Sequence, residues 1–391
     1  MAKLLGRLFG RLPIGWLQLV HNRTRMAAAI AGVAFANVLV FVQLGMLGAL
    51  EGTIVATYDP LRADVVIAPG DAETLTDGSL VARSAVWRAL AVPGVAAAAP
   101  LHLAKVDFTR PDGAIASLQV YGIAPEAEAF VAPALREDLA RLRLRDTALL
   151  DSATRGLDPD ALAAIGPERP YVFEVNGLTL SATGTISLGA GFTADGALVV
   201  SDQTFLRLYG QRVSGAPSRV LLRVEPGAVP VAVANAVAAR LAGEPVVVST
   251  LEAAMEADLA YQTTQRPVGL IFGFGAAIGV LVGIVIVYQV LSTDVADHLR
   301  EYATLKAMGY AHPFFLGIVF EEALVLGILG FLPGLALATG IYAVMAGATG
   351  LPVEMTLVRA SAVFLGTIAA CAISGAIATR RLAGADPAEL F

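Results

Sequence analysis

The stretch "HLREYATLKAMGY", His298 to Tyr310, is a short charged insert between two long segments that contain almost no charge. The chain has 391 residues, of which 56% are hydrophobic and only 15% are charged, a far more apolar balance than a soluble domain needs. This composition predicts an integral membrane protein, and the insert indicates a place where the chain leaves the membrane between two spans.

Long uncharged windows predict the membrane spans. Three windows contain no Asp, Glu, Lys or Arg and reach the roughly 20 residues that cross a bilayer core of about 30 Å: Met26–Leu50, Pro267–Thr293 and Ala360–Thr379. A fourth, Pro313–Val353, is too long for one straight crossing at about 1.5 Å per residue, and it contains Glu321 and Glu322. It could therefore hold two spans joined near Pro333.

Charge decides the number of spans, because Lys and Arg near span ends mark the cytoplasmic side. The relevant basic residues are Lys3, Arg7, Arg11, Arg23, Arg25, Arg300, Lys306, Arg380 and Arg381. Four spans place all nine inside, whereas five would place the final arginine pair outside. We therefore predict four spans, with Pro333 as a helix kink that neighbouring helices tolerate.

These spans divide the chain as follows: a cytoplasmic amphipathic segment 1–25, spans 26–50, 267–293, 313–346 and 360–379, an outer domain 51–266 with a helical stalk at 251–266, a cytoplasmic segment 294–312, a short outer loop 347–359 and a cytoplasmic tail 380–391. In the first segment, "LPIGWLQLV" (Leu12–Val20) predicts a helix on the inner membrane surface, although a plain charged flank is the alternative. A signal peptide is disfavoured because the apolar run exceeds the 7 to 15 residues of an h-region.

The outer domain alternates strand-like and helix-like stretches, which predicts an α+β fold. Asn176-Gly177 lies between two alternating runs and predicts a β-hairpin. The domain has 25 acidic residues against 17 basic ones, which disfavours nucleic acid as a partner. The single cysteine, Cys371, lies in the last predicted span, so no disulfide is expected in the outer domain.

The patterns of the common catalytic and metal sites are missing from the sequence. None of the three lysines follows a glycine, so there is no GxxxxGK[ST] phosphate loop. The four histidines show no HExxH spacing, and no GxSxG elbow is present. His102, the one histidine predicted outside, is expected to be a structural or surface residue and not a ligand. We expect no catalytic, cofactor-binding or metal-binding residues and no enzymatic activity in this chain.

The opening stretch has the pattern of a short amphipathic helix. Val295, Leu299, Tyr302 and Leu305 share one side at three- and four-residue spacing, while Asp297, Arg300, Glu301 and Thr304 lie on the other. Gly309 suits the left-handed position that ends a helix. The segment is either a solvated helix in a loop or a docking surface for a cytoplasmic partner that exposes Glu301, Lys306 and Met308.

Two parts of the chain carry a family resemblance. The segment "STDVADHLREYATLKAMGYAHPFFLGIVFEEALVLGILGFLPG" (Ser292–Gly334), with Leu12–Gly45, resembles the DevC permeases of cyanobacterial-type ABC exporters, within the MacB/FtsX-like permease superfamily. The terminal "RRLAGADPAELF" (Arg380–Phe391) is similar to the closing pattern of that family. Four spans and one large outer domain after the first span are what this resemblance implies.

The resemblance also implies partners and roles. Segment 294–312 would be a coupling helix seated on a separate ABC ATPase that binds ATP, with the contact made by Arg300, Glu301, Leu305, Lys306, Met308 and Gly309. The working unit would contain two copies of this chain in a bacterial inner membrane, both termini in the cytoplasm. A periplasmic membrane-fusion adaptor and an outer-membrane channel would complete it.

Some points stay open at this stage. Glu321 and Glu322 either pair with Arg23, Arg25 or the coupling segment, or they lie at the level of the lipid headgroups. The chain either exports a lipid, glycolipid or other amphiphile, or it resembles FtsX in signalling to a periplasmic cell-wall hydrolase. A membrane-anchored sensor or enzyme without an ATPase is the third hypothesis, and four spans with an ordered inner helix disfavour it.

Overall fold

A computed structural model of the chain describes residues 14–212 and 216–379, with the side chain of His312 excepted. Five residues of the charge count (Lys3, Arg7, Arg11, Arg380 and Arg381) and the family-like closing segment 380–391 lie outside the described residues. The chain divides into two compact units. Of the described residues, the membrane unit contains 14–48, 270–344 and 353–379, and the inserted unit contains 49–212, 216–269 and 345–352.

The described chain is mainly helical at both ends and mixed in its middle. Its α-helices are α1 (Ile14–His21), α2 (Arg23–Tyr58), α3 (Ser84–Leu90), α4 (Pro133–Leu139), α5 (Pro159–Ala163), α6 (Asp202–Leu208), α7 (Pro230–Arg240), α8 (Leu251–Thr264), α9 (Pro267–Asp297), α10 (Leu299–Ala307), α11 (His312–Thr349) and α12 (Leu357–Ala378). Its strands are β1 (Val65–Pro69), β2 (Val95–Thr109), β3 (Ile115–Ile123), β4 (Thr147–Asp151), β5 (Tyr171–Val175), β6 (Leu178–Ile186), β7 (Gly196–Ser201), β8 (Arg219–Val224) and β9 (Val246–Thr250).

Four helices among the described residues, α2, α9, α11 and α12, are long and apolar enough to cross a membrane. The number agrees with the prediction, and α11 passes through Pro333 as a single helix. The helices are longer than the predicted spans. α2 continues to Tyr58 because nothing interrupts it before Pro60, and a residue that precedes proline avoids helical dihedrals. α12 begins three residues early because the Thr356 side chain caps it by accepting a hydrogen bond from the Arg359 N–H.

The membrane unit has its own apolar core between α1, α2, α9, α10, α11 and α12. Buried polar side chains add links between helices. The Thr367 hydroxyl donates to the Asn37 side-chain oxygen at 2.7 Å, and the Ser374 hydroxyl donates to the Ile284 carbonyl at 2.9 Å. Such bonds between helices satisfy groups that would otherwise be buried without a partner.

The inserted unit is built on a nine-stranded sheet in the order β3-β7-β4-β6-β5-β2-β8-β1-β9. β2 pairs along nine residues with β3 as well, so six of the strands form a closed circuit. β2 can serve both neighbours because it is 15 residues long, with its first half against β8 and its second half against β3. Helices and sheet together confirm the α+β prediction for this part of the chain.

Local signals in the inserted unit agree with the sequence. β5 and β6 form the predicted hairpin, and Asn176 and Gly177 in its turn both have positive φ, as a two-residue turn of this type requires. The region predicted as a helical stalk contains α8, which ends at Thr264, so Gln265 and Arg266 separate it from α9. The Asp258 carboxylate of α8 accepts hydrogen bonds from the Leu75 N–H and the Tyr58 hydroxyl. α8 is therefore bonded to other parts of the inserted unit.

Candidate functional site

Helix α10 has one face packed against the membrane unit. Tyr302 and Ala303 are buried, and Leu299 and Leu305 are partly buried against the same apolar core. The sequence predicts one continuous amphipathic helix from Val295, but α9 ends at Asp297 and α10 starts anew at Leu299. Leu305 lies on this packed face. It would therefore support a contact with another protein by holding α10 in place, and not by touching that protein.

The opposite face of α10 is exposed to solvent. Arg300, Glu301 and Lys306 are exposed, and Met308, the residue after the helix, has 63% of its surface exposed. A charged face with an exposed methionine at its end is suited to contact with another protein, because methionine adapts its shape to a partner surface.

Gly309 ends α10 in the way that the sequence predicts. Its φ is +97°, a value that side-chain-bearing residues rarely adopt. The Gly309 N–H donates to the Lys306 carbonyl at 3.0 Å, and the Tyr310 N–H donates to the Leu305 carbonyl at 3.2 Å. This pair of bonds is a Schellman motif, which fixes the direction in which the chain leaves the helix.

Tyr302 joins α10 to two other helices. The side chain is 2% exposed, and its ring packs edge-on against Phe315 of α11 with 5.7 Å between ring centroids. Its hydroxyl donates to the Gln18 side-chain oxygen of α1 at 3.2 Å. Burial, reinforced by the nearby carboxyls of Glu322 and Asp294, raises the pKa of Tyr302, so the hydroxyl remains a neutral donor.

Glu321 and Glu322 are completely buried in the membrane unit. Their side chains therefore face protein, as is usual for carboxylates in or near a span. One Glu321 carboxylate oxygen accepts a hydrogen bond at 3.1 Å from the main-chain N–H of Trp16, in the first turn of α1. N–H groups of a first helical turn lack partners within their own helix, so this carboxylate caps α1 from another helix.

Arg25, which the sequence offers as a partner for the glutamates, forms ion pairs with two aspartates. Its guanidinium binds the carboxylates of Asp294 and Asp297 at the end of α9. Asp294 is buried, whereas Asp297 is exposed. Sequence reasoning placed Asp297 on the polar side of the helix and overlooked Asp294. The sequence does contain a signal for this contact. Basic Arg25 and acidic Asp294 and Asp297 lie at the ends of two spans, and these ends are predicted on the same side of the membrane.

His102 lies in the core of the inserted unit, stacked on Phe205 with 5.2 Å between ring centroids. Burial lowers the pKa of His102 to about 4, the nearby Asp202 opposes this shift, and Arg212 and Arg83 add to it. Among the described residues, no group of three or more His, Cys, Asp or Glu side chains could hold a metal ion. His102 therefore has the surroundings of a neutral core residue.

Comparison with known proteins finds a family match for the C-terminal part of this chain. Residues 273–387 match the FtsX-like permease C-terminal family, and this range includes α10, α11, α12 and both buried glutamates. Among solved structures, the extracellular domain of the noncanonic ABC-type transporter YknZ from Gram-positive bacteria aligns at 11% identity, with a TM-score of 0.32, over 48% of this chain and 98% of that one. The periplasmic region of MacB from Actinobacillus actinomycetemcomitans aligns at 11% identity, with a TM-score of 0.34, over 53% and 95%.

No match was found among curated proteins. The family match covers the C-terminal part of the chain, where three of the four long apolar helices lie. It does not separate the DevC branch from its relatives. The match makes residues 273–387 of this chain similar to the C-terminal part of FtsX-like permeases.

Proposed function

We propose that the chain is the permease subunit of an ABC-type exporter in a bacterial inner membrane. A separate ABC ATPase binds and hydrolyses ATP, and the permease passes the resulting motion to its large inserted domain. That domain then moves a lipid, glycolipid or other amphiphile toward a periplasmic adaptor and an outer-membrane channel. Both chain termini and α10 face the cytoplasm, and two copies of the chain form the working unit.

The exposed face of α10 is the observation that carries this proposal. The helix is held by Tyr302, Ala303 and Leu305, while Arg300 and Glu301 point away from the membrane unit. It lies inside the FtsX-like match and between two apolar helices long enough to be spans. A short helix with a fixed inner face and a charged outer face can take up a push from a docked protein without unfolding.

The finer details rest on the sequence resemblance. Residues 292–334 resemble DevC-type permeases, and this resemblance supports export of an amphiphile, an adaptor and an outer-membrane channel. The two-copy arrangement has the same basis. Membrane lipids are the expected surroundings of the four apolar helices.

The contact is tested by reversing one charge. The full-length chain is purified in mild detergent from cells that express the whole transporter, as wild type, as Glu301→Arg and as the matched control Glu354→Arg. Glu354 is also exposed but lies beyond the far end of α11, a helix of 38 residues. We expect an ATPase subunit with the wild type and the control, and at least a fivefold loss with Glu301→Arg. Equal recovery in all three would contradict the proposed contact.

A signalling function of the FtsX kind is the second candidate, because the matching family is FtsX-like. In that case, the same motion activates a periplasmic cell-wall hydrolase and nothing is transported. A gene for a membrane-fusion adaptor beside the ATPase gene favours export, whereas a gene for a peptidoglycan hydrolase favours signalling.

A further inference from the structure

We propose that α1 is a moving part of the coupling machinery, with Tyr302, Gln18 and Glu321 as the positioning residues that tie it to α10 and α11. On this view, α1 takes the displacement of α10 and delivers it to the first span. The inference rests on the proposed function, since it needs an ATPase that pushes on α10. It adds to the sequence expectation that α1 lies on the inner membrane surface.

The packing of α1 is too close for a helix that only rests in the lipid headgroups. At Gly15, an added Cβ would lie 2.8 Å from the Ile318 carbonyl oxygen and 2.9 Å from the Glu322 side chain. Real side-chain atoms do not approach backbone oxygen so closely, so glycine is needed for this contact. Leu19 of α1 is buried in the same core as Tyr302 and Ile318. α1 is therefore seated on α11 as a packed element.

Two polar links fix α1 at separate points. The Tyr302 hydroxyl of α10 donates to Gln18, and the Trp16 N–H donates to Glu321 of α11. Tyr302 is buried, so a displacement of α10 without α1 would leave its hydroxyl without this partner. Leaving a buried polar group unpaired is more costly than moving two bonded groups together. The Tyr302–Gln18 bond therefore favours joint motion of the two helices.

α1 leads directly into the first span. α1 ends at His21 and α2 begins at Arg23, so Asn22 alone connects them. The Asn22 side-chain oxygen accepts from the Arg25 N–H at 3.1 Å, and its carbonyl accepts from the Met26 N–H at 3.0 Å. A one-residue corner that is bonded to the first turn of α2 has little freedom to absorb motion. A shift of α1 is thus passed to α2.

The test follows α1 directly while the ATPase is driven through its cycle. A fluorophore that responds to its environment is attached to Leu17→Cys on the exposed side of α1, and the natural Cys371 is buried. The permease–ATPase complex is placed in lipid nanodiscs, and the fluorescence change on adding ATP and orthovanadate is measured. The variants are Tyr302→Phe, Gln18→Leu and both together. Tyr310→Phe is the matched control, because it removes the hydroxyl of an exposed tyrosine just beyond α10.

We expect a clear nucleotide response in the wild type and in Tyr310→Phe. Tyr302→Phe and Gln18→Leu should each reduce the response about two- to tenfold, the factor that one net hydrogen bond provides. The nucleotide response of the double variant should be no smaller than that of either single variant, because both changes remove the same hydrogen bond. ATPase recovery with the permease should be unchanged, since neither residue lies on the exposed face of α10.

The possible failures can be told apart. If no ATPase accompanies the wild-type chain, the proposed function fails. If the ATPase is present but the Leu17 probe gives no nucleotide response, the relay is wrong while the function stands. A wild-type response in both Tyr302→Phe and Gln18→Leu would also overturn it. Gln18 is only partly buried, so Gln18→Leu decides the matter even if Tyr302→Phe reduces the yield of folded protein.

Discussion

Arg25 and Asp294 form an ion pair across 269 residues of sequence, and it joins the start of α2 to the end of α9. The Asp294 side chain is 2% exposed, whereas that of Arg25 is 25% exposed. The pair therefore fixes one end of the first span to one end of the second, close to α10. Four predictions follow from this region and from the core of the inserted unit, each with its own measurement.

Arg25→Ala should destabilise the membrane unit, because it leaves Asp294 buried without its counter-charge. Removing one partner of a buried pair costs about 3 to 5 kcal/mol. The thermal unfolding midpoint in detergent should fall, whereas the exposed Arg23→Ala, two residues earlier, should change it little. The double variant Arg25→Met with Asp294→Leu should recover most of the loss, because it removes both charges. A double variant as unstable as Arg25→Ala would contradict this explanation.

Gly309→Pro should separate assembly from coupling under the proposed function. Proline fixes φ near −65° and has no N–H, so it is incompatible with φ of +97° and with the bond to the Lys306 carbonyl. We expect the variant to insert in the membrane with its four spans. Its partner's ATP hydrolysis should no longer depend on the permease.

Gly309→Asn is the matched control, because asparagine tolerates the left-handed region better than other residues with a side chain. It should retain coupled hydrolysis, measured as the ratio of ATPase rates with and without the permease. If Pro and Asn behaved alike, the geometry of this turn would be irrelevant to coupling.

Gly15→Val should displace α1 from α11, because its Cβ would meet the Ile318 carbonyl oxygen. Trp16 and Trp87 are the two tryptophans of the chain, so a Trp87→Phe background leaves Trp16 as the reporter. We expect a shift in the Trp16 emission maximum and faster hydrogen exchange in residues 14–21. Leu17→Val, on the exposed side of α1, should leave both unchanged. An unaltered Trp16 spectrum in Gly15→Val would show that α1 is not tightly seated.

His102 should make the inserted unit sensitive to acid. Its pKa is about 4 in the folded chain and near 6.5 when unfolded, so the unfolded state binds more protons between these values. Its stabilising contribution is therefore complete above pH 6.5 and is lost as pH falls toward 4, by at most about 3 kcal/mol. His102→Phe, which preserves the stacking on Phe205, should unfold with a weaker dependence on pH in this range.

The comparison is made on the full-length chain, as the difference between wild type and His102→Phe at each pH. Burial raises the pKa values of Asp151 and Asp258, so these carboxyl groups also make stability depend on pH. Both proteins contain them, so their contribution cancels when the two free energies of unfolding are subtracted. Parallel stability curves for the two proteins from pH 7 to pH 4 would show that His102 does not titrate as described.

The sequence by itself determined the features that depend on neighbouring residues. Three windows without charge and one with only Glu321 and Glu322 predict the four apolar helices, since an unpaired charge is costly in lipid. The amphipathic spacing of side chains predicts α10. Gly309 predicts the end of that helix and Asn176-Gly177 predicts the hairpin, because both depend on local backbone preferences. The family-like motif of residues 292–334 lies largely within the range that matches the FtsX-like C-terminal family.

Only the tertiary structure decided which distant residues meet. Glu321 caps α1 from 305 positions away, Tyr302 bonds to Gln18 across 284 positions, and Arg25 forms ion pairs with Asp294 and Asp297. The order of strands in the inserted sheet has the same origin. Spacing along a chain specifies which face of a helix or strand is apolar, but many partners can cover that face. The choice among them is made by close packing, as at Gly15, and by the need to satisfy every buried polar group.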